Sequence, residues 1–259
     1  MIDAGGRFST RFQEESWGFS LEGNAYRYWS EQLREDGSAN TLSELWHREQ
    51  LKSRLTSAYA FSTIRERIRF DKLVVDGREF PIDITHFTFP EALPIISDMQ
   101  ELAKLEYFPQ LSSASFVECN LDGNGLWLLC DAAGITNLNL QATQIHYADL
   151  HALFKLPALR ILRLKDNPQL TDRAAEHLGL LPCLEELQLQ ETSFTEAGLR
   201  ELGFMPTLKS IVLSYDSQRF TLAGLTEASR RLRNCEILVK GVGEFSNGTF
   251  SGTWPENAD

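Results

Sequence analysis

The chain is poor in the residues that build metal and redox sites. Its 259 residues include four cysteines, Cys119, Cys130, Cys183 and Cys235, far apart and in no CxxC pair, which argues against a zinc site and a thioredoxin-type motif and leaves reduced, mostly buried thiols as the expectation. The five histidines form neither an HExxH motif nor a ligand pair at helical spacing, so no metal is expected. Long apolar runs are also missing. A stretch such as Gly125 to Gly134 falls well short of the roughly 18 apolar residues of a membrane span. The start has neither a basic n-region nor an apolar h-region, and a cytoplasmic location is expected. GxSxG, P-loop and correctly spaced GxGxxG motifs are absent, so no cofactor and no catalysis are expected. Excess positive charge is lacking too. Net charge is −11, and residues 1–70 carry ten Lys/Arg against ten Asp/Glu, so the whole acidic excess lies beyond Phe70. An acidic body repels nucleic acid and anionic membranes and steers a basic protein partner toward itself.

What the chain does have is a repeat. The pattern LxxLxLxx(N/T/C) aligns Leu111-Ala114-Phe116-Cys119, Ile135-Leu138-Leu140-Thr143, Leu159-Leu162-Leu164-Asn167, Leu184-Leu187-Leu189-Thr192 and Leu208-Ile211-Leu213-Asp216. Successive starts differ by 24, 24, 25 and 24 residues. A degraded unit precedes them at Ile82, Ile84 and Phe87, and a terminal one follows at Asn234, Ile237 and Val239. Each unit opens with strand alternation and closes with helical spacing, as in Leu187 and Leu189 followed by Leu199 and Leu202. One unit cannot bury its apolar face alone, so the units must stack and both ends must be capped.

These residues resemble the leucine-rich repeat family over roughly residues 79–240. The second halves, "TSFTEAGLRELGFMP" and "NPQLTDRAAEHLGLLP", look like the style of bacterial and ribonuclease-inhibitor-like repeats of about 24 residues. The resemblance implies an α/β solenoid with a concave parallel sheet, convex helices and a helical N-terminal cap. Residues 1–69 are expected to form that cap, with Thr41 and Glu44 at capping-box spacing and Leu42, Trp46, Leu51 and Leu55 on one face. Residues 70–240 form the solenoid, entered through a tight turn at Asp76-Gly77. Residues 241–259 are a C-terminal cap and tail, expected to be partly mobile.

Strand alternation sends the non-leucine positions to the exposed concave face. The candidate partner-binding residues are Asn137, Asn139 and Gln141, then Ile161, Arg163 and Lys165, then Glu186, Gln188 and Gln190, then Val212 and Ser214 with Tyr215 beside them. Such a face, with isolated apolar residues among amides and charges, resembles a protein-binding surface. The expected function is non-catalytic binding of a basic protein, as in a bacterial immunity protein or inhibitor that neutralises a cognate toxin. The alternative is an adaptor or secreted effector that recruits a target through its repeats. Neither nucleic acid nor membrane is expected as a partner.

Overall fold

A computed structural model describes residues 7–9, 18–21, 68–89, 96 and 99–255. The chain divides into two compact units, residues 1–83 and 84–259. In the first, β1 (Arg7–Ser9), β2 (Gly18–Leu21), β3 (Ile68–Val75) and β4 (Arg78–Pro81) form an antiparallel sheet in chain order. The β3–β4 turn is the expected Asp76-Gly77 pair, both residues left-handed at φ 47° and 74°, as a two-residue hairpin with the right-handed strand twist requires. The helical N-terminal region needs correction where it is described, because residues 7–9, 18–21 and 68–69 are strand. The helix expected over 41–55 lies outside the described residues.

The second unit is built from the repeats. Strands β5 (His86–Thr88), β6 (Ser113–Ser115), β7 (Asn137–Asn139), β8 (Ile161–Arg163), β9 (Glu186–Gln188), β10 (Ser210–Ser214) and β11 (Glu236–Lys240) pair in parallel, each with its sequence neighbour. The antiparallel strands β12 (Gly243–Ser246) and β13 (Thr249–Gly252) complete a nine-stranded open sheet. The ladder sets the central apolar residue of each strand beside its equivalent, from Phe87 through Ala114, Leu138, Leu162 and Leu187 to Ile211 and Ile237. All of these are buried. Ala114 replaces the usual leucine where two phenylalanines fill the interior, the Phe87 and Phe116 rings lying 5.7 Å apart.

The return segments are short: a 3-10 helix at Met99–Tyr107, α1 (Gly123–Leu129), a 3-10 helix at Tyr147–Lys155, α2 (Ala174–Leu178), α3 (Glu196–Glu201) continued by a 3-10 turn at Leu202–Phe204, and α4 (Leu222–Arg231). Leu199 and Leu202 are fully buried, as their spacing predicts. Between strand and helix the chain leaves the sheet through a left-handed residue at one repeat position, Glu118, Ala142, Asp166 and Glu191, with φ of 53–58°. The next residue secures that turn. Thr143 and Thr192 hydroxyls donate to the Leu140 and Leu189 carbonyls at 2.8 Å, and Asn167 Nδ2 donates to Leu140 and Leu164 carbonyls at 2.8 and 2.9 Å. Buried backbone acceptors are thereby satisfied.

Acidic side chains link successive repeats. Asp172 accepts from the backbone N–H and the hydroxyl of Thr195, both at 2.7 Å, and Thr195 in turn caps α3 by accepting from Ala197 N–H. Glu196 does the same for Thr221 at the start of α4, at 2.6 and 2.8 Å. A side chain at Gly224 would collide with that Glu196 carboxylate, so the small residue makes room for the cap.

The C-terminal segment, expected as a cap with a partly mobile end, adds a hairpin to the end of the sheet. Asn247 and Gly248, at φ 49° and 81°, form a two-residue turn between β12 and β13, and Gly243 faces Gly252 across the pair. Residues 256–259 lie outside the described residues.

Candidate functional site

Because the ladder is in register, the exposed side chains fall into columns. One column holds Ser113, Asn137, Ile161, Glu186, Ser210 and Glu236, and the next holds Ser115, Asn139, Arg163, Gln188, Val212 and Leu238. Arg163 Nη1 donates to Asn137 Oδ1 at 2.7 Å, and Gln141 Nε2 donates to Asp166 Oδ2 at 3.0 Å. Lys165 Nζ lies 3.2 Å from the same Asp166 carboxylate. This half of the face is a tied polar network. Toward β10 and β11 the ties thin out: Val212 and Leu238 are half-buried and adjacent, and Glu186 and Glu236 are exposed. Ser214 is held to the Glu191 carboxylate, donating at 2.6 Å.

Two of the expected residues are placed elsewhere. Gln190 is buried, only 2 % exposed, and its Oε1 has no hydrogen-bond partner among the described residues. Gln190 lies past the end of β9, beside left-handed Glu191, and is buried there, whereas Gln141 and Lys165 at the equivalent place stay half-exposed. Tyr215 follows the last residue of β10 and continues the parity of the core residues Ile211 and Leu213. It packs edge-on against Trp254 at 5.3 Å, in a cluster with Phe245 and Phe250. The structure brings the remaining ten together on the exposed sheet face and its C-terminal margin.

Charges outside the central columns are organised in two ways. Before the strands, Glu185 bridges Arg160 at 2.6 Å and Lys209 at 2.7 Å, and Lys209 foremost, then Arg160, holds its carboxyl below the usual range. On β11 and β12, Glu236 shares a hydrogen bond with Glu244, and that bond together with the like charge pushes the Glu236 carboxyl above the usual range. Neither the Glu236–Glu244 pair nor the interrepeat caps is apparent from the repeat pattern. The alternation in "CEILVKGVGEF" is the one available signal for the pair.

Three of the four thiols, Cys119, Cys130 and Cys235, are poor nucleophiles by placement. Burial pushes Cys119 up to about 11 and Cys130 and Cys235 up to about 12. The helical side carries a second feature that the repeat pattern did not reveal. Large apolar side chains stand exposed at Trp127, Phe154, Leu180, Phe204 and Leu222, Phe204 by 88 %.

Units of about 24 residues, each adding one short strand to a continuous parallel ladder with helical segments returning between strands, are compatible with a leucine-rich-repeat solenoid. The comparisons agree at that level. The chain is similar to Tsukushi of Gallus gallus, 32% identical over 123 residues, which is 45% of this chain and 33% of the relative. Tsukushi of Rattus norvegicus is 29% identical over 159 residues, 55% of this chain and 45% of the relative, and that of Mus musculus is 28% identical over the same length. The chain spans less than half the length of these curated relatives. No protein-family model matches. The similarity supports the leucine-rich-repeat class and does not support the bacterial, ribonuclease-inhibitor-like subtype.

Proposed function

We propose that the chain is a non-catalytic protein-binding solenoid whose partner lies against the exposed face of the parallel sheet. The observation that carries this reading is the setting of Ile161, Val212 and Leu238, half-exposed aliphatic side chains, among polar groups on a sheet whose other side is fully packed. Apolar groups on a rigid sheet face, ringed by hydrogen-bonding side chains, are the usual composition of an interface centre with a polar rim. The raised, buried thiols of Cys119, Cys130 and Cys235 favour binding over thiol chemistry, and four unpaired cysteines suit a reducing compartment such as the cytoplasm.

The narrower reading, an inhibitor that neutralises a basic toxin, draws on the acidic charge, and the vertebrate relatives lend it no support. Recruitment of a target protein is its alternative. A photo-crosslinking amino acid placed singly at Asn139, Arg163, Gln188 or Val212 is expected to trap the partner in cells. The same probe at Leu180 or Phe204 is expected to trap little. The reverse pattern moves the binding surface to the helical side.

A further inference from the structure

The two glutamates of the first exposed column are separated by one small residue. Ser210 on β10 pairs with Glu186 on β9 on one side and with Glu236 on β11 on the other. Two strand spacings place those glutamate backbones about 10 Å apart. Between them stands only the short serine side chain, and neither glutamate has a cationic partner among the described residues. Two residues further along the same strands, about 7 Å away, Val212 and Leu238 are laterally paired. Beyond Leu238 comes Glu244 on β12. This end of the face therefore shows three exposed carboxylates, Glu186, Glu236 and Glu244, against the single exposed ammonium of Lys240.

We infer that this end of the face is a docking site for a protein segment that presents an arginine or lysine beside an aliphatic side chain. The cation enters over Ser210 between Glu186 and the Glu236–Glu244 pair, and the aliphatic group lies on Val212 and Leu238. The inference rests on the reading of the exposed sheet face as a binding surface and specifies the chemistry of its partner. Charge complementarity selects the occupant: carboxylates that flank a gap without a counter-ion are best answered by a cation, and an anionic segment would meet repulsion from three sides. The Glu236–Glu244 pair strengthens the preference, because an incoming cation offsets the like charge that these two carboxyls set beside each other. The aliphatic pair adds desolvated contact next to the charge, which shields it from screening by salt.

The test uses the full chain panned against a phage library of random 12-residue peptides, with enriched clones remade as synthetic peptides. Enriched sequences are expected to carry arginine or lysine next to leucine, isoleucine or valine. Their affinity is expected to fall at least tenfold in the Glu186→Gln/Glu236→Gln double variant and in Ser210→Arg, which fills that place with its own cation. Both variants alter exposed or half-exposed positions, and circular dichroism confirms their fold. Neutral or acidic enriched sequences, no enriched sequence, or equal binding to the double variant overturns the inference. An Ile161→Asp variant separates the two levels: peptides lost with Ile161→Asp but kept by the double variant leave the face as the binding surface and remove this site from it. Peptides indifferent to all three variants remove the face as well.

Discussion

Replacing Gly198 by alanine sets two opposite effects against each other, and the structure decides the sign. In an open helix the change stabilises by about 0.5–1 kcal/mol, because glycine loses more backbone freedom on folding than alanine. Gly198 in α3 is buried, and a Cβ there would lie 2.6 and 2.8 Å from two ring carbons of Phe194 and would press on the Asp172 carboxylate. The Phe194 ring is itself 1 % exposed and cannot swing into solvent. Overpacking of this kind costs about 1–3 kcal/mol. Displacing Asp172 also strains its two bonds to Thr195, and losing an N-terminal cap costs about 0.5–2 kcal/mol. The net expectation is a loss of about 0.5–4.5 kcal/mol, the propensity gain included. Urea unfolding followed by circular dichroism reads it as a lowered midpoint at unchanged slope. In an Asp172→Ala background the same substitution should cost less, since part of its effect has already been taken. An unchanged or raised midpoint for Gly198→Ala would refute the reasoning, showing that the close approach of α3 to Phe194 and Asp172 does not constrain the repeat.

Leu187→Ala, at a fully buried position on the ladder, is expected to lower stability by about 2–5 kcal/mol in the same unfolding assay. Tyr215→Ala should also destabilise, because its edge-on contact with Trp254 belongs to the C-terminal aromatic cluster; a normal unfolding midpoint with weakened partner binding would instead return Tyr215 to the binding face. Cys130 and Cys235, buried and pushed up to about 12, should react with a thiol reagent at pH 8 only as fast as the chain unfolds, whereas burst labelling of either in the native protein would contradict their burial. The raised carboxyl of Glu236 binds protons more readily folded than unfolded, so its stabilising contribution is fully present below the ordinary carboxylate range and is lost as pH rises through the raised value. The other charged groups on the neighbouring strands of that face, Glu186, Glu244 and Lys240, remain in a Glu236→Gln variant. The difference in stability between the two proteins should therefore move in the variant's favour as pH rises above about 4.5, and a pH-independent difference rules out the shared hydrogen bond.

The register of the sheet was legible because it is written in apolar residues that repeat every 24 or 25 positions. The weak unit at Phe87 and the terminal one at Ile237 and Val239 also lie on the ladder, at intervals of 27 and 26 residues from their neighbours. The turns were less legible. Glu118, Ala142, Asp166 and Glu191 take left-handed backbone without being glycine, and Asn167, Thr143 and Thr192 beside them supply hydrogen bonds to the turn. A reading by residue type finds no breaker there. Residue type and spacing do not tell Gln190 from Gln141 and Lys165, which hold the equivalent place and stay half-exposed while Gln190 is buried. The Asn247-Gly248 turn was present as a strong local hairpin signal, but the surrounding Gly and Ser favoured a mobile tail until Phe245 and Phe250 are seen to pack at 4.6 Å.

What the repeat could not disclose is any contact made between units by residues outside its pattern. Asp172 reaches Thr195 and Glu196 reaches Thr221 over 23 and 25 residues, and these carboxylates are occupied by caps. Glu185 is occupied by Arg160 and Lys209. Structural roles thus occupy some of the carboxylates beyond Phe70, and net charge alone does not say which of them face a partner. The carboxylates left without a cation on the sheet face, Glu186, Glu236 and Glu244, gather at one end only because β11 lies beside β10 in parallel and β12 folds back beside β11. Net charge points to a basic partner for the body as a whole; the strand order narrows that attraction to the few square nanometres around Ser210 and Leu238.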